Sequence, residues 1–251
     1  MAEDWDFYMC HVDGHLASMA LDLGLAATAP DGARSLMGFV RVPLSVPRPD
    51  GLSDRTEFDR LEEVEEALVA TVVPAVDATY VGRCTMEGRR DFYFYFASRN
   101  GFDAAVAAVF ERFPAYRPEI VVGEEPGWET YLNWLFPGRD DLQSIMNRRV
   151  CDNLEKHGDT LTKPREIMHW AYFSSSEAAD RFAVVITEKG FRIDEKIDPA
   201  AERHGFGVRF VRHDVPGRDG IDTLTSEILE AVDREGGDYD GWETFVERDD
   251  A

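Results

Sequence analysis

Four side chains able to bind a metal or move protons stand close together near the start of the chain: Cys10, His11, Asp13 and His15. Thiolate, imidazole and carboxylate are the donors zinc and iron take, so the grouping offers a metal-dependent enzyme if its members converge. The local pattern works against convergence. Asp13-Gly14 lies between the apolar runs Trp5 to Val12 and Leu16 to Leu21, and an Asp-Gly pair in that setting marks a two-residue hairpin turn, because both positions must accept positive φ. The turn takes Asp13 out of the strand, and no second cluster along the chain supplies the missing ligands. Cys10, Cys84 and Cys151 are odd in number, widely spaced and without a Cys-x-x-Cys pair, which fits ordinary thiols in a reducing compartment. No metal and no cofactor is expected.

Other catalytic arrangements are missing. The chain has no Gly-x-x-x-x-Gly-Lys phosphate loop, no dinucleotide fingerprint, no Gly-x-Ser-x-Gly elbow and no His-Glu-x-x-His. His169, His204 and His213 are scattered without a neighbouring nucleophile motif, so structural roles outrank catalysis. No catalytic residue is assigned and an enzyme is not expected. One segment, His204-Gly205-Phe206-Gly207-Val208-Arg209-Phe210, approaches the RNA-recognition signature and offers a competing function as an RNA-binding module. Val208 stands where a base-stacking aromatic belongs and His204 replaces Lys or Arg, which weakens both stacking and phosphate contact.

Charge decides between partners. Over 251 residues, 49 acidic against 27 basic side chains give a formal net charge of −22. The excess is shared: residues 1–138 hold 23 acids, 11 arginines and no lysine, and residues 139–251 hold 26 acids and 16 basic residues. Both halves repel polyanions, so direct binding to nucleic acid is disfavoured and a basic segment of a protein partner is the better complement. Hydrophobic residues make up 44%, enough for globular cores, and no apolar run approaches the 18 or so residues a membrane helix needs. Without a basic start and apolar stretch at Met1-Ala2-Glu3-Asp4-Trp5, no signal peptide is expected, no membrane, and a cytoplasmic location.

The elements that must position any site fall into two similar sets. After the hairpin come a strand at Leu36 to Leu44, a helix with Phe58, Leu61, Val64, Leu68 and Val72 inward, and two strands, Thr79 to Thr85 and Asp91 to Phe96. Asp54 or Thr56 caps that helix, Pro74 stops it, and Glu62, Glu63, Glu65 and Glu66 form a solvated face or an acidic docking surface. In the aromatic strand, Phe92, Phe94 and Phe96 point one way and Tyr93 and Tyr95 the other, toward a second layer or a groove. A helix over Phe102 to Phe113 and a closing strand-rich segment through Trp128 complete the half. Pro137-Gly138 marks the boundary between a domain at 1–138 and one at 139–251. The second domain opens with a helix, Leu142 to Leu154, then repeats strand, helix, strand, strand, helix, strand, with Ser174 and Glu177 at capping-box spacing. The fold class is α+β: two tandem ferredoxin-like (βαββαβ) domains, the first with an extra N-terminal β-hairpin. Gly127-Trp128-Glu129-Thr130-Tyr131 echoes Gly241-Trp242-Glu243-Thr244-Phe245, and each copy reads as the last strand of its domain, with Gly127, Trp128, Gly241 and Trp242 structural.

The Leu142 helix, the strand around Trp170 and above all Asp238-Tyr239-Asp240-Gly241-Trp242-Glu243-Thr244-Phe245 resemble the RraB family, regulators of ribonuclease activity that inhibit ribonuclease E. The likeness spans about residues 142–251, without the long acidic insertions of simple RraB proteins. The first half, from Trp5-Asp6-Phe7-Tyr8, resembles a family of unknown function often fused ahead of such a domain. The resemblance implies a noncatalytic acidic protein that binds and inhibits an RNA-processing endonuclease of ribonuclease E type through its basic, Arg-rich tail region. Asp238, Tyr239, Asp240 and Glu243 are the candidate partner-binding residues.

Overall fold

The computed structural model describes residues 3–198 and 205–248, and the chain divides into two compact units, Met1–Gly138 and Arg139–Ala251. Each unit is α+β, with helices on an antiparallel sheet.

In the first unit, β1 (Trp5–Val12) and β2 (His15–Asp22) form the hairpin, turning at Asp13 and Gly14 with φ of 51° and 83°. There follow β3 (Leu36–Pro43), α1 (Arg55–Val76), β4 (Thr79–Met86), β5 (Arg89–Phe96), α2 (Phe102–Phe110) and β6 (Glu119–Glu124). The strands lie in the order β1-β2-β4-β5-β3-β6. Asp54 caps α1, its carboxylate accepting from the Glu57 amide at 2.8 Å, and Leu61, Val64, Leu68 and Val72 are fully buried. Two expectations for this helix need correction. Pro74 lies inside it and the helix runs on to Val76, ending at Asp77 in the left-handed region with φ 49°. A proline in the last turn removes a single backbone hydrogen bond while its own φ remains helical, so it does not stop the helix there. Phe58 is 36% exposed rather than inward, with the buried Arg90 guanidinium 5.0 Å from its ring.

Alternation in β5 sends Phe92, Phe94 and Phe96 into the core that α1 and α2 cover. Tyr93 and Tyr95 face the other way and are also buried. Their face is no groove, because the end of the unit folds across it: Trp128 stacks on Tyr95 with centroids 4.1 Å apart, and Trp134 packs on Tyr93 at 5.5 Å. The echo at Gly127-Trp128-Glu129-Thr130-Tyr131 is therefore not a closing strand. The sheet ends with β6 at Glu124, Trp128 takes φ 54°, and Thr130–Leu135 winds into a π-helical segment. The physical reason lies in spacing: Trp128, Tyr131 and Leu135 recur at three and four residues, and all three are buried as one helical stripe.

The second unit runs α3 (Arg139–Lys156), β7 (Arg165–Phe173), α4 (Ser176–Glu188), β8 (Arg192–Ile197), β9 (Phe206–Asp214), α5 (Arg218–Arg234) and β10 (Asp238–Glu243), with strands ordered β10-β7-β9-β8. Ser175 rather than Ser174 caps α4, accepting from the Ala178 amide at 3.2 Å. Ile167, Ala171, Val208 and Phe210 meet Phe182, Ile186, Ile221 and Ile228 in its core. Beside that core sits a buried ion pair. Arg165 donates to both carboxylate oxygens of Asp159, at 2.6 and 2.8 Å, with each side chain 1% exposed. Burial alone would raise the Asp159 pKa, but Arg165 and the amides of Glu247 and Leu161 outweigh it and hold the carboxyl below the usual range. Among the described residues, no helix is long and apolar enough to cross a membrane.

Candidate functional site

The residues of the Asp238 to Glu243 segment are placed by the edge strand β10, which pairs antiparallel with β7. Gly236 and Gly237 end α5 and lead into it. A side chain at Gly237 would sit 2.4 Å from the Phe173 ring and 2.8 Å from the Tyr172 carbonyl, so the close approach of the two segments requires glycine. The register then shifts: Tyr239 pairs with Ala171 and Gly241 with Trp170, leaving Asp240 in a bulge and Gly241 at φ 117°. That extra residue lets Tyr239 and Trp242, three apart in sequence, both face the core, while Asp238, Asp240 and Glu243 stay exposed.

Both inward rings are hydrogen-bonded. The Tyr239 hydroxyl meets Nδ1 of His169 at 2.8 Å, and burial, followed by the neighbouring Asp240, raises the Tyr239 pKa well above its ordinary value. The Trp242 indole donates to Oδ1 of Asn147 at 2.8 Å. Since indole is only a donor, it assigns the amide orientation, and Nδ2 of Asn147 donates to Asp222 at 2.7 Å and Thr225 at 2.8 Å. Ser144 donates to the other oxygen of Asp222 at 2.7 Å. This network locks β10 to α3 and α5. Between the three elements lies a cleft of about 310 Å³, with Leu142, Met146 and Leu229 as apolar wall and Asp233, Asp238 and Asp240 as acidic rim. Its one basic residue, Arg139, is held in ion pairs with Asp140 and Asp233. Nearby in the first turn of α3, burial and then Asp140 raise the Asp141 pKa, as expected where carboxylates crowd.

The sequence model of a family of unknown function, DUF695, matches residues 3–136, more than half of the chain. The chain belongs to this family. The model of RraB, regulator of ribonuclease activity B, matches residues 144–244, which takes in most of α3 and all of α5 and β10. No curated protein matches. A crystal structure of an unknown protein from Galdieria sulphuraria is similar at 14% identity over 85% of this chain and 99% of its own. Its TM-score is 0.22.

Within the part matched by RraB, Asp238, Tyr239, Asp240 and Gly241 line the cleft, whereas Glu243 lies farther along β10, paired opposite Met168. Gly127 and Trp128 belong to the DUF695 unit, where Trp128 is 2% exposed and donates from its indole to the Arg34 carbonyl at 2.8 Å. Asn147, Asp222 and Asp233 were not legible as site residues. The spacing of Gln143 to Asn147 and of Asp222 to Thr225, each one helical turn, was the available signal for polar faces turned to one another.

The competing sites fare differently. Along β1, Cys10 and His11 are consecutive and point to opposite faces of the sheet, and His15 lies 3.6 Å from Glu87. Among the described residues no three His, Cys, Asp or Glu side chains converge on a metal position. In the RNA-like signature, Val208 and Phe210 are fully buried and Phe206 packs against the same core, so the positions that would stack bases are turned toward the helices. His204 lies outside the described residues.

His169 is fully buried, its ring stacked on Phe210 at 5.3 Å, and Nε2 has no hydrogen-bond partner among the described residues. Burial and then Arg212 pull its pKa down to about 3. The folded state therefore keeps this imidazole neutral while the unfolded chain protonates it below about 6.5. Stability is complete above pH 6.5 and falls by about 1.4 kcal/mol per unit as pH drops toward 3. Denaturation of His169→Phe between pH 7 and 4 is expected to show a shallower slope than the wild-type protein. An unchanged slope would assign the acid sensitivity to other groups.

Proposed function

We propose that the protein is a noncatalytic regulator that binds a basic segment of an RNA-processing endonuclease of ribonuclease E type and lowers its cleavage of transcripts. The observation that carries this is the RraB match over residues 144–244, which includes the strand whose Asp238 and Asp240 rim the acidic cleft with Asp233. A cleft of carboxylates above an apolar wall suits an arginine-bearing segment, since the guanidinium pairs with carboxylates while its stem packs on carbon. Asp238, Tyr239 and Asp240 would contact the partner, with Glu243 extending the acidic edge. The net charge of −22 would steer the encounter, and a cytoplasmic location follows from the partner. The strand orders β6-β3-β5-β4 and β10-β7-β9-β8, each from a βαββαβ sequence of elements, support a tandem of ferredoxin-like domains split at Pro137-Gly138.

Purified nuclease, RNA and the full chain test this directly. Cleavage is expected to slow as the protein is added, and association to slow as salt rises toward physiological strength, where screening cuts the reach of surface charge to about 8 Å. Asp238→Asn with Asp240→Asn is expected to lower the association rate several-fold and leave the melting temperature unchanged. Capture of bare RNA without nuclease, persisting in moderate salt, would instead establish RNA binding.

A further inference from the structure

The first unit has more sheet than its helices cover. Its buried core draws on α1, α2 and β3 to β6, and no residue of β1 or β2 belongs to it. The far face of the hairpin is sealed: Tyr8, Ala17, Met19 and Leu21 are buried there, and the Tyr8 hydroxyl donates to the Leu135 carbonyl at 2.9 Å. The helix-side face is not. Trp5 stacks on Tyr80 at 5.4 Å, which places it on that side, and alternation puts Phe7 and Met9 beside it. They are 39%, 48% and 44% exposed, the longest run of exposed large apolar side chains on any strand described. Between this shelf and α1 lies a cavity of about 880 Å³, floored by Trp5, Tyr80, Val69 and Val73 and rimmed by Glu62 and Glu66. Arg83, the basic side chain lining it, is ion-paired with Glu65.

Two strands span about 10 Å, the spacing between packed helices, so the exposed face of the hairpin is one helix wide. We propose that this shelf receives a single amphipathic helix of a basic protein partner. It would lie alongside α1, with apolar side chains on Trp5, Phe7 and Met9 and lysines or arginines against Glu62, Glu66 and Glu3. Charge selects this occupant over a second copy of the chain, which would bring the same excess of 23 acids over 11 arginines to an already acidic rim. The proposal does not rest on the nuclease function, which concerns the RraB-like unit.

The probe is a fluorescein-labelled Leu/Lys peptide of about 18 residues with leucines at helical spacing, compared with its scrambled isomer by anisotropy on the full-length protein. The amphipathic peptide is expected to bind at least tenfold tighter than the scrambled one at about 0.15 M salt. Trp5→Gln with Met9→Gln is expected to lose tenfold or more, and Glu62→Gln with Glu66→Gln several-fold, most at low salt. Asp238→Asn with Asp240→Asn is expected to leave peptide binding unchanged, which separates this surface from the cleft. Equal binding of the scrambled peptide, or insensitivity to Trp5 and Met9, would overturn the proposal. So would a wild-type dimer that the Trp5 and Met9 changes convert to monomer. Should those changes lower the melting temperature, hydrogen exchange on the wild-type protein decides: peptide-induced protection in β1 and α1 supports the shelf, and protection elsewhere refutes it.

Discussion

Trp128→Ala is expected to destabilise the first unit by about 3–5 kcal/mol, the range for truncating a buried tryptophan. The ring is 2% exposed, stacked on Tyr95 at 4.1 Å with planes 9° apart, set edge-on to Tyr131 at 6.2 Å, and hydrogen-bonded to the Arg34 carbonyl. Its backbone sits at φ 54°, a conformation that costs a bulky residue of order 1–3 kcal/mol and persists because these contacts hold it. Losing the ring would uncover Tyr95 and Tyr131 together, so hydrogen exchange in β5 should accelerate. Trp242→Ala is expected to cost a similar amount in the second unit, where it also leaves the Asn147 carbonyl without its indole donor. Unchanged melting of either variant with lost binding would make that tryptophan a contact residue instead.

Asp159→Asn is expected to cost the second unit about 3–5 kcal/mol, because it leaves the Arg165 guanidinium buried without its counter-charge. Asp159 also ties down the segment at Glu247, accepting from the amides of Leu161 and Glu247 at 2.8 Å each. Its folded pKa is depressed, so its contribution is complete above the unfolded value of about 3.8 and disappears as pH falls through the lower folded value. Wild-type protein should lose this increment in strong acid, and the Asn variant should have none to lose. Replacing both partners, Asp159→Leu with Arg165→Met, is expected to cost less than the sum of the two single changes, since no charge is then stranded, although the amides of Leu161 and Glu247 lose their acceptor. A double variant as unstable as the sum of the singles would show that packing, not charge, holds the segment.

The sequence by itself determined the order of the strands and long helices and the hairpin at Asp13-Gly14, because each rests on local physics: apolar period, positive φ, and breaker residues. It also determined the acidic character of both halves and the likeness of Asp238 to Thr244 to RraB. Only the tertiary structure decided that Gly127-Trp128 and Gly241-Trp242 are not equivalent. The same short pattern becomes a helical stripe where it must cover Tyr93 and Tyr95, and an edge strand where β7 offers a partner. Partners distant in the chain made the other decisions as well. Asn147 reaches Trp242 across 95 residues, and Arg165 finds Asp159 only because the turn between them folds back. Alternation could say that Tyr93 and Tyr95 share a face, but not what lies over it, since period records which side a residue takes and not which segment returns to cover it.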